Sequence, residues 1–131
     1  MLKIRYFSYT RPLALIPEMK KSKENSEHYN WGSNCSGWHM VKSQNLSIIE
    51  ELMPPKTKEK THHHNFSQQY FRILSGKATF EIEDKLVEVE QGYGIHILPK
   101  TKHRIRNDEL EDLEFIVISE PTTQGDRYDE L

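Results

Sequence analysis

Three consecutive histidines, His62, His63 and His64, stand in mid-chain, and a fourth, His103, follows well downstream. Side chains alternate along an extended backbone, so His62 and His64 point to one side and His63 to the other. Two imidazoles spaced this way can reach one metal ion, and His103, delivered from another segment, can complete a set of three. Imidazole nitrogen suits iron, manganese, nickel, copper and zinc, and three such ligands leave coordination positions for water or substrate. His96, between Ile95 and Ile97, reads instead as a barrel or interface residue. The single cysteine, Cys35, excludes an internal disulfide and a thiolate-built zinc site, and reads as a small buried hydrophobe.

The elements that must position these residues read as strands. From Trp38 onward, short apolar or alternating runs are separated by turn residues. Leu46 to Met53 forms a strand that Pro54 and Pro55 stop, and Tyr70 to Ser75 forms the next. Gly76-Lys77 reads as a tight reversal into Ala78 to Glu83, where Phe80 and Ile82 face one side and Glu81 and Glu83 the other. Leu86 to Val89, Ile95 to Leu98, His103 to Arg106 and Leu113 to Ile118 complete the set. Eight or so short strands predict an all-β closed barrel or jelly roll, an architecture that hides sheet edges. Residues 1–30 read as an irregular arm packed on the barrel or on a partner, 31–120 as one barrel domain, and 121–131 as a polar tail. Within the arm, Glu27 to Gly32 could cover one barrel end or swap onto a second chain.

The stretch from Pro54 to Asn107 resembles a cupin domain. The first cupin motif reads glycine, five residues, His-x-His, three or four residues, glutamate, six residues, glycine. Here His62-His63-His64, Gln69 and Gly76 keep that register, with Lys56 at the leading glycine position. The second reads glycine, five residues, Pro-x-Gly, two residues, histidine, three residues, asparagine. Gly92, Leu98-Pro99-Lys100, His103 and Asn107 fall into it, with the proline displaced by one and Lys100 at the inner glycine. The resemblance implies a double-stranded β-helix holding a divalent transition metal on His62, His64, Gln69 and His103. Gln69 departs from the pattern, because an amide replaces the usual carboxylate. A neutral ligand leaves more positive charge on the metal and holds it less tightly, which would favour an anionic substrate able to supply the missing charge.

Strand parity places Phe71 and Ile73 on the face of Gln69, and Ile105 on the face of His103, as the apolar walls of a pocket. Trp31, Trp38, Tyr70 and Arg72 are candidates for its mouth or for a subunit interface. No additional base stands out, since Glu81 and Glu83 lie opposite the core-facing residues. Two functions remain open at this point. One is a small metal-dependent enzyme, similar to the short cupins grouped with mannose-6-phosphate isomerase-like sugar-phosphate isomerases or with dioxygenases. The other is a cup that binds a sugar or other metabolite without turning it over.

Charge and length limit the partners. The 131 residues carry 18 Lys+Arg against 20 Asp+Glu, a net charge of −2, which provides no basic field for nucleic acid. No run approaches the ~18 apolar residues needed to cross a bilayer, and Leu13 to Ile16, flanked by Pro12 and Pro17, is too short for a signal-peptide core. The expectation is a cytoplasmic protein that binds a small molecule and, as small cupins often do, pairs as a homodimer.

Overall fold

A computed structural model describes residues 19–131. The Leu13 to Ile16 segment and the first part of the N-terminal arm therefore lie outside the described residues. Among those described there are twelve strands and one short 3-10 turn at Lys23–Asn25. The strands are β1 (Glu27–Trp31), β2 (Cys35–Lys42), β3 (Ser47–Met53), β4 (Thr57–Lys58), β5 (His62–His63) and β6 (Gln68–Ser75), followed by β7 (Lys77–Ile82), β8 (Lys85–Glu90), β9 (Gly94–Ile97), β10 (His103–Asn107), β11 (Leu113–Glu120) and β12 (Tyr128–Asp129). They form two antiparallel sheets, one in the order β1-β2-β3-β11-β6-β9 and the other β12-β5-β10-β7-β8, with β4 also paired to β10. No helix among the described residues is long and apolar enough to cross a membrane.

Alternation of side chains explains why these strands pack face to face. Along β11 every second residue from Leu113 to Ser119 is buried, and β10 buries His103, Ile105 and Asn107 while Arg104 and Arg106 face outward. The inward residues meet in a core of Met53, Phe71, Ile73, Phe80, Leu113 and Phe115. Phe71 on the first sheet meets Phe80 on the second edge to face, with ring centroids 5.1 Å apart. Burial of each such side chain stabilises the fold by roughly 1.5–3 kcal/mol relative to leaving it exposed.

One turn differs from the sequence expectation in an informative way. Gly76 does not fold β6 back onto β7: β6 pairs with β11 and β9, whereas β7 pairs with β10 and β8. The residue instead carries the chain from one sheet to the other. Its φ of +86° and the Asp112 carbonyl 2.7 Å from where a Cβ would stand leave room for glycine alone. The true hairpin is β7–β8, whose two-residue loop Glu83-Asp84 has positive φ at both positions, matching the twist of the flanking strands.

The arm and tail also take definite places. Glu27 to Trp31 pairs with β2 of its own chain as an edge strand. The polar segment beyond Pro121 returns to the second sheet as β12, paired with β5.

Candidate metal centre and its acidic mouth

His62 and His103 face each other directly across the β5–β10 pair, and His64 leaves the end of β5 on the same side as His62. All three are buried, and one ring nitrogen of each lies within 4.8 Å of those of the other two. The ring centroids are 4.4 Å apart for His62 and His103, 4.9 Å for His62 and His64, and 5.5 Å for His64 and His103. His63 points away, stacking on Tyr128 with its Nδ1 3.5 Å from Glu130. His96 also stays outside the cluster and meets the Gln68 side chain at 2.8 Å.

Backbone carbonyls set the proton positions on these rings. Nδ1 of His62 lies 2.8 Å from the Lys60 carbonyl, Nδ1 of His64 2.7 Å from that of Asp126, and Nδ1 of His103 2.8 Å from that of Thr101. A carbonyl can only accept, so each Nδ1 donates, and each neutral ring presents Nε2 as a lone pair. Nε2 of His64 is buried without a partner. Nε2 of His103 lies 3.1 Å from the Gln69 carbonyl oxygen, an acceptor facing an acceptor. Burial is the main cause holding the rings neutral, taking His62 down to about 3 and His103 to about 4, and it lowers His64 as well. Three neutral rings with converging lone pairs are a donor set that fits a divalent transition metal.

Gln69 comes from β6 on the opposite sheet, and its amide nitrogen donates to Ser119 Oγ at 3.0 Å. The remaining pocket assignments divide. Phe71 lines a cavity of about 120 Å³ together with His62, His64 and Gln69. Ile73 and Ile105, expected as walls, are instead sealed in the hydrophobic core. Ile105 lies two strand residues beyond His103, roughly 7 Å deeper at ~3.3 Å per residue. Trp31 stands at the mouth, whereas Trp38 lies on the outer face beneath the Lys23 ammonium, and Tyr70 is exposed.

The two lysines at glycine positions have kept the glycine backbone. Lys56 has φ +60° and Lys100 φ +66°, both in the left-handed region. The Lys100 N–H donates to the His64 carbonyl at 2.6 Å, so this strained turn helps to hold the histidine segment. Asp126 holds it from the other side. Its carboxylate accepts from the N–H groups of Asn65, Phe66 and Ser67 at 2.8–3.0 Å, and these bonds outweigh its burial and keep it ionised. Asn107 is fully buried and bridges the carbonyls of Met53, Pro54 and Glu111, a structural role.

Sequence reading missed a set of acids in the same cavity. Tyr29, Glu51, Glu59 and Arg127 line it beside the histidines, and the same four residues wall an outer chamber of about 500 Å³ with Trp31, Lys58 and Lys60. Tyr29 donates to Glu51 at 3.0 Å. Glu59 accepts from the Ile105 N–H at 3.0 Å and lies 3.8 Å from the Arg127 guanidinium. Burial, and then the neighbouring Glu59 charge, push the Glu51 carboxyl up to about 8, and burial pushes Glu59 to about 7. Parity from Met53 through Glu51 to Ile49 was the available signal, but apolar residues at both parities of Ile48-Ile49-Glu50-Glu51-Leu52-Met53 hide it. Glu59, between Lys58 and Lys60, reads as part of a solvated charge run.

Comparison with known proteins places this geometry in a family. Residues 49–119 match the cupin domain model. The chain belongs to the cupin family. An uncharacterised protein of Methanocaldococcus jannaschii is 32% identical over 69 residues, 53% of this chain and 55% of that protein, so the chain spans about half the length of the curated relative it matches. Among solved structures, a predicted oxalate decarboxylase from Thermotoga maritima superposes with a TM-score of 0.71 at 17% identity, covering 77% of this cupin and 97% of that chain. The Streptomyces protein PAC13, solved as a variant with uridine, gives 0.73 at 14% identity, covering 86% and 90%. A cupin-superfamily sugar phosphate isomerase from Silicibacter pomeroyi gives 0.67 at 13%, covering 79% and 76%. At these identities the likeness is one of fold.

Proposed function

We propose that this cupin is a metal-dependent enzyme acting on a small polar or anionic metabolite, with isomerase-like or dioxygenase-like chemistry. The observation that carries the reading is the convergence of three imidazoles whose Nδ1 atoms are all occupied by backbone carbonyls, leaving Nε2 for a metal. His62, His64 and His103 would hold the ion, with the Gln69 carbonyl as a weaker fourth ligand. A divalent metal there would act as a Lewis acid toward a carbonyl or hydroxyl oxygen. The outer chamber carries both signs of charge: Arg127 pairs with Asp129 and Glu59, and Lys58 and Lys60 are left on its walls to meet a substrate that carries negative charge. The isomerase and uridine-bound neighbours support a small-molecule occupant. We also propose pairing as a homodimer in the cytoplasm, which sedimentation of the purified protein and fractionation of cells would test.

Elemental analysis of untagged protein, with native mass spectrometry for co-purified molecules, tests the central reading. One transition metal per chain is the expected result, lost in His62→Ala. A metal-free protein carrying an intact metabolite would favour the second reading, a non-catalytic cup. Gln69 is the observation behind that alternative. With its amide turned over, its NH₂ would donate to His103 Nε2, and its oxygen would accept from Ser119, satisfying both groups without an ion.

A further inference from the structure

The cavity beside the histidines contains few groups able to move a proton. Gln69 is an amide and neither gains nor loses a proton at neutral pH. The three imidazoles have Nδ1 bonded to the backbone and Nε2 turned to the metal position. Tyr29, half-buried beside Glu51, is raised well above the ordinary phenol range by loss of solvent and by the Glu51 charge, and stays protonated. Glu59 has one carboxylate oxygen bonded to the Ile105 N–H and the other turned to Arg127, and its own N–H donates to the Ile105 carbonyl at 3.2 Å. Among the described residues lining the cavity, Glu51 alone keeps a carboxyl whose one hydrogen bond to a side chain, from Tyr29, leaves its remaining acceptor capacity for a ligand.

Three neighbouring strands aim that carboxyl. Tyr29 on β1 pairs with Gly37 on β2, and Gly37 pairs with Glu51 on β3, so the three residues form one row across the sheet. The missing side chain at Gly37 lets the Tyr29 ring lie across the strand to reach Glu51. A Cβ at position 37 would come within 2.5 Å of the phenol oxygen. The row ends at the shared wall of the 120 Å³ inner cavity and the outer chamber. At ~30 Å³ per water-sized group, the inner cavity admits about four such groups, the reacting end of a small molecule.

We propose that Glu51 is the proton-transfer residue of this cup, acting on a 2-hydroxy carbonyl compound whose oxygens face the histidines and whose anionic end lies in the outer chamber. This rests on the metal-enzyme reading. The Glu51 carboxylate takes the proton from the carbon that bears the hydroxyl, and the C–H electron pair forms the C=C bond of an enediolate while the carbonyl oxygen gains the negative charge. The resulting carboxylic acid returns its proton to the former carbonyl carbon. The hydroxyl proton passes to the former carbonyl oxygen, giving the isomeric hydroxy carbonyl compound with no other reactant consumed. A carboxyl that ionises near neutrality suits both halves of this exchange. Tyr29 and Gly37 are positioning residues.

The test is deuterium uptake from heavy water by dihydroxyacetone, dihydroxyacetone phosphate and glyceraldehyde 3-phosphate, with metal affinity measured on the same preparations. Wild-type protein holding metal should exchange hydrogen on the carbon next to the carbonyl of at least one probe. Glu51→Gln should slow this at least 100-fold with metal affinity within threefold of wild type, and Glu51→Asp should restore part of the rate. Exchange in Glu51→Gln within threefold of wild type, or none above background by metal-loaded wild type with any probe, would overturn the proposal. A wild-type protein that takes up no metal would instead remove the reading on which it rests.

Discussion

The two ends of the cavity are held in different ways. At the histidine end each imidazole is fixed by a main-chain carbonyl, on a segment braced by Asp126 and the Lys100 turn. At the acidic end, Glu51 depends on a single bond from the Tyr29 side chain, laid across a glycine, and Glu59, held on one oxygen by the Ile105 N–H, has its other oxygen beside a half-exposed arginine. Main-chain anchors come with the fold, so the geometry of the three-imidazole cluster is tied to the barrel itself. Side-chain anchors change with single substitutions, so the acid–base character of the mouth can be altered without disturbing the barrel.

The largest expected effect that would break this contrast belongs to the histidine end. His103→Ala removes one of the three proposed nitrogen ligands and should weaken divalent metal binding by at least about 100-fold in a competition titration, since outer contacts alone are worth 10–100-fold. Asp126→Ala tests the bracing. It leaves every candidate ligand in place but frees three N–H groups and the segment that orients His64, and should cost roughly tenfold in affinity. Equal losses in the two variants would show that the ring positions are not anchored as described.

At the acidic end, Gly37→Ala forces the Tyr29 ring off Glu51. Overpacking of this kind costs about 1–3 kcal/mol in denaturant unfolding, and metal affinity should stay near wild type. A variant with unchanged stability would mean that the ring does not occupy the space above Gly37.

The opposed titrations of the two ends sharpen the comparison. In metal-free protein, His62 and His103 stay neutral down to about 3 and about 4, while the unfolded chain protonates them below their ordinary 6.5. The unfolded state then binds more protons, so stability falls as pH drops from 6.5 through those values. Glu51 and Glu59 hold their protons up to about 8 and about 7, whereas the unfolded carboxyls lose theirs above 4.5, so stability falls as pH rises from 4.5 toward 8. Thermal midpoints should therefore be highest between 4.5 and 6.5, where the two slopes oppose each other. A midpoint still climbing from neutral to alkaline pH would contradict the placement of the acids. The smallest effect is that of Lys100→Gly, which removes left-handed strain and should stabilise the protein by about 1 kcal/mol at most.

These differences also explain what could be read before the structure was known. The histidines were legible because their i, i+2 spacing survives on any extended segment, and both cupin motifs keep their spacing around them. Lys56 and Lys100 were legible as replacements at motif glycine positions, but the glycine conformation that the backbone at both retained was not. Glu51 was illegible because β3 carries apolar side chains on both faces, so no parity could be assigned. Tyr29 and Arg127 come from β1 and from the approach to β12, segments read as an arm and a polar tail whose pairing depends on long-range register. Ile73 and Ile105 were given the correct face but the wrong depth, since parity fixes a side of the sheet and not a position along it.

The account depends on three Nδ1-protonated imidazoles turning Nε2 toward one point. Long-range ¹H–¹⁵N spectra of the seven histidines, recorded before and after one equivalent of zinc, test this directly. The predicted result is that His62, His64 and His103 carry the proton on Nδ1 and that their Nε2 resonances alone move together on saturation. Zinc shifting His28, His39, His63 or His96 instead, or leaving the three Nε2 signals in place, would contradict it.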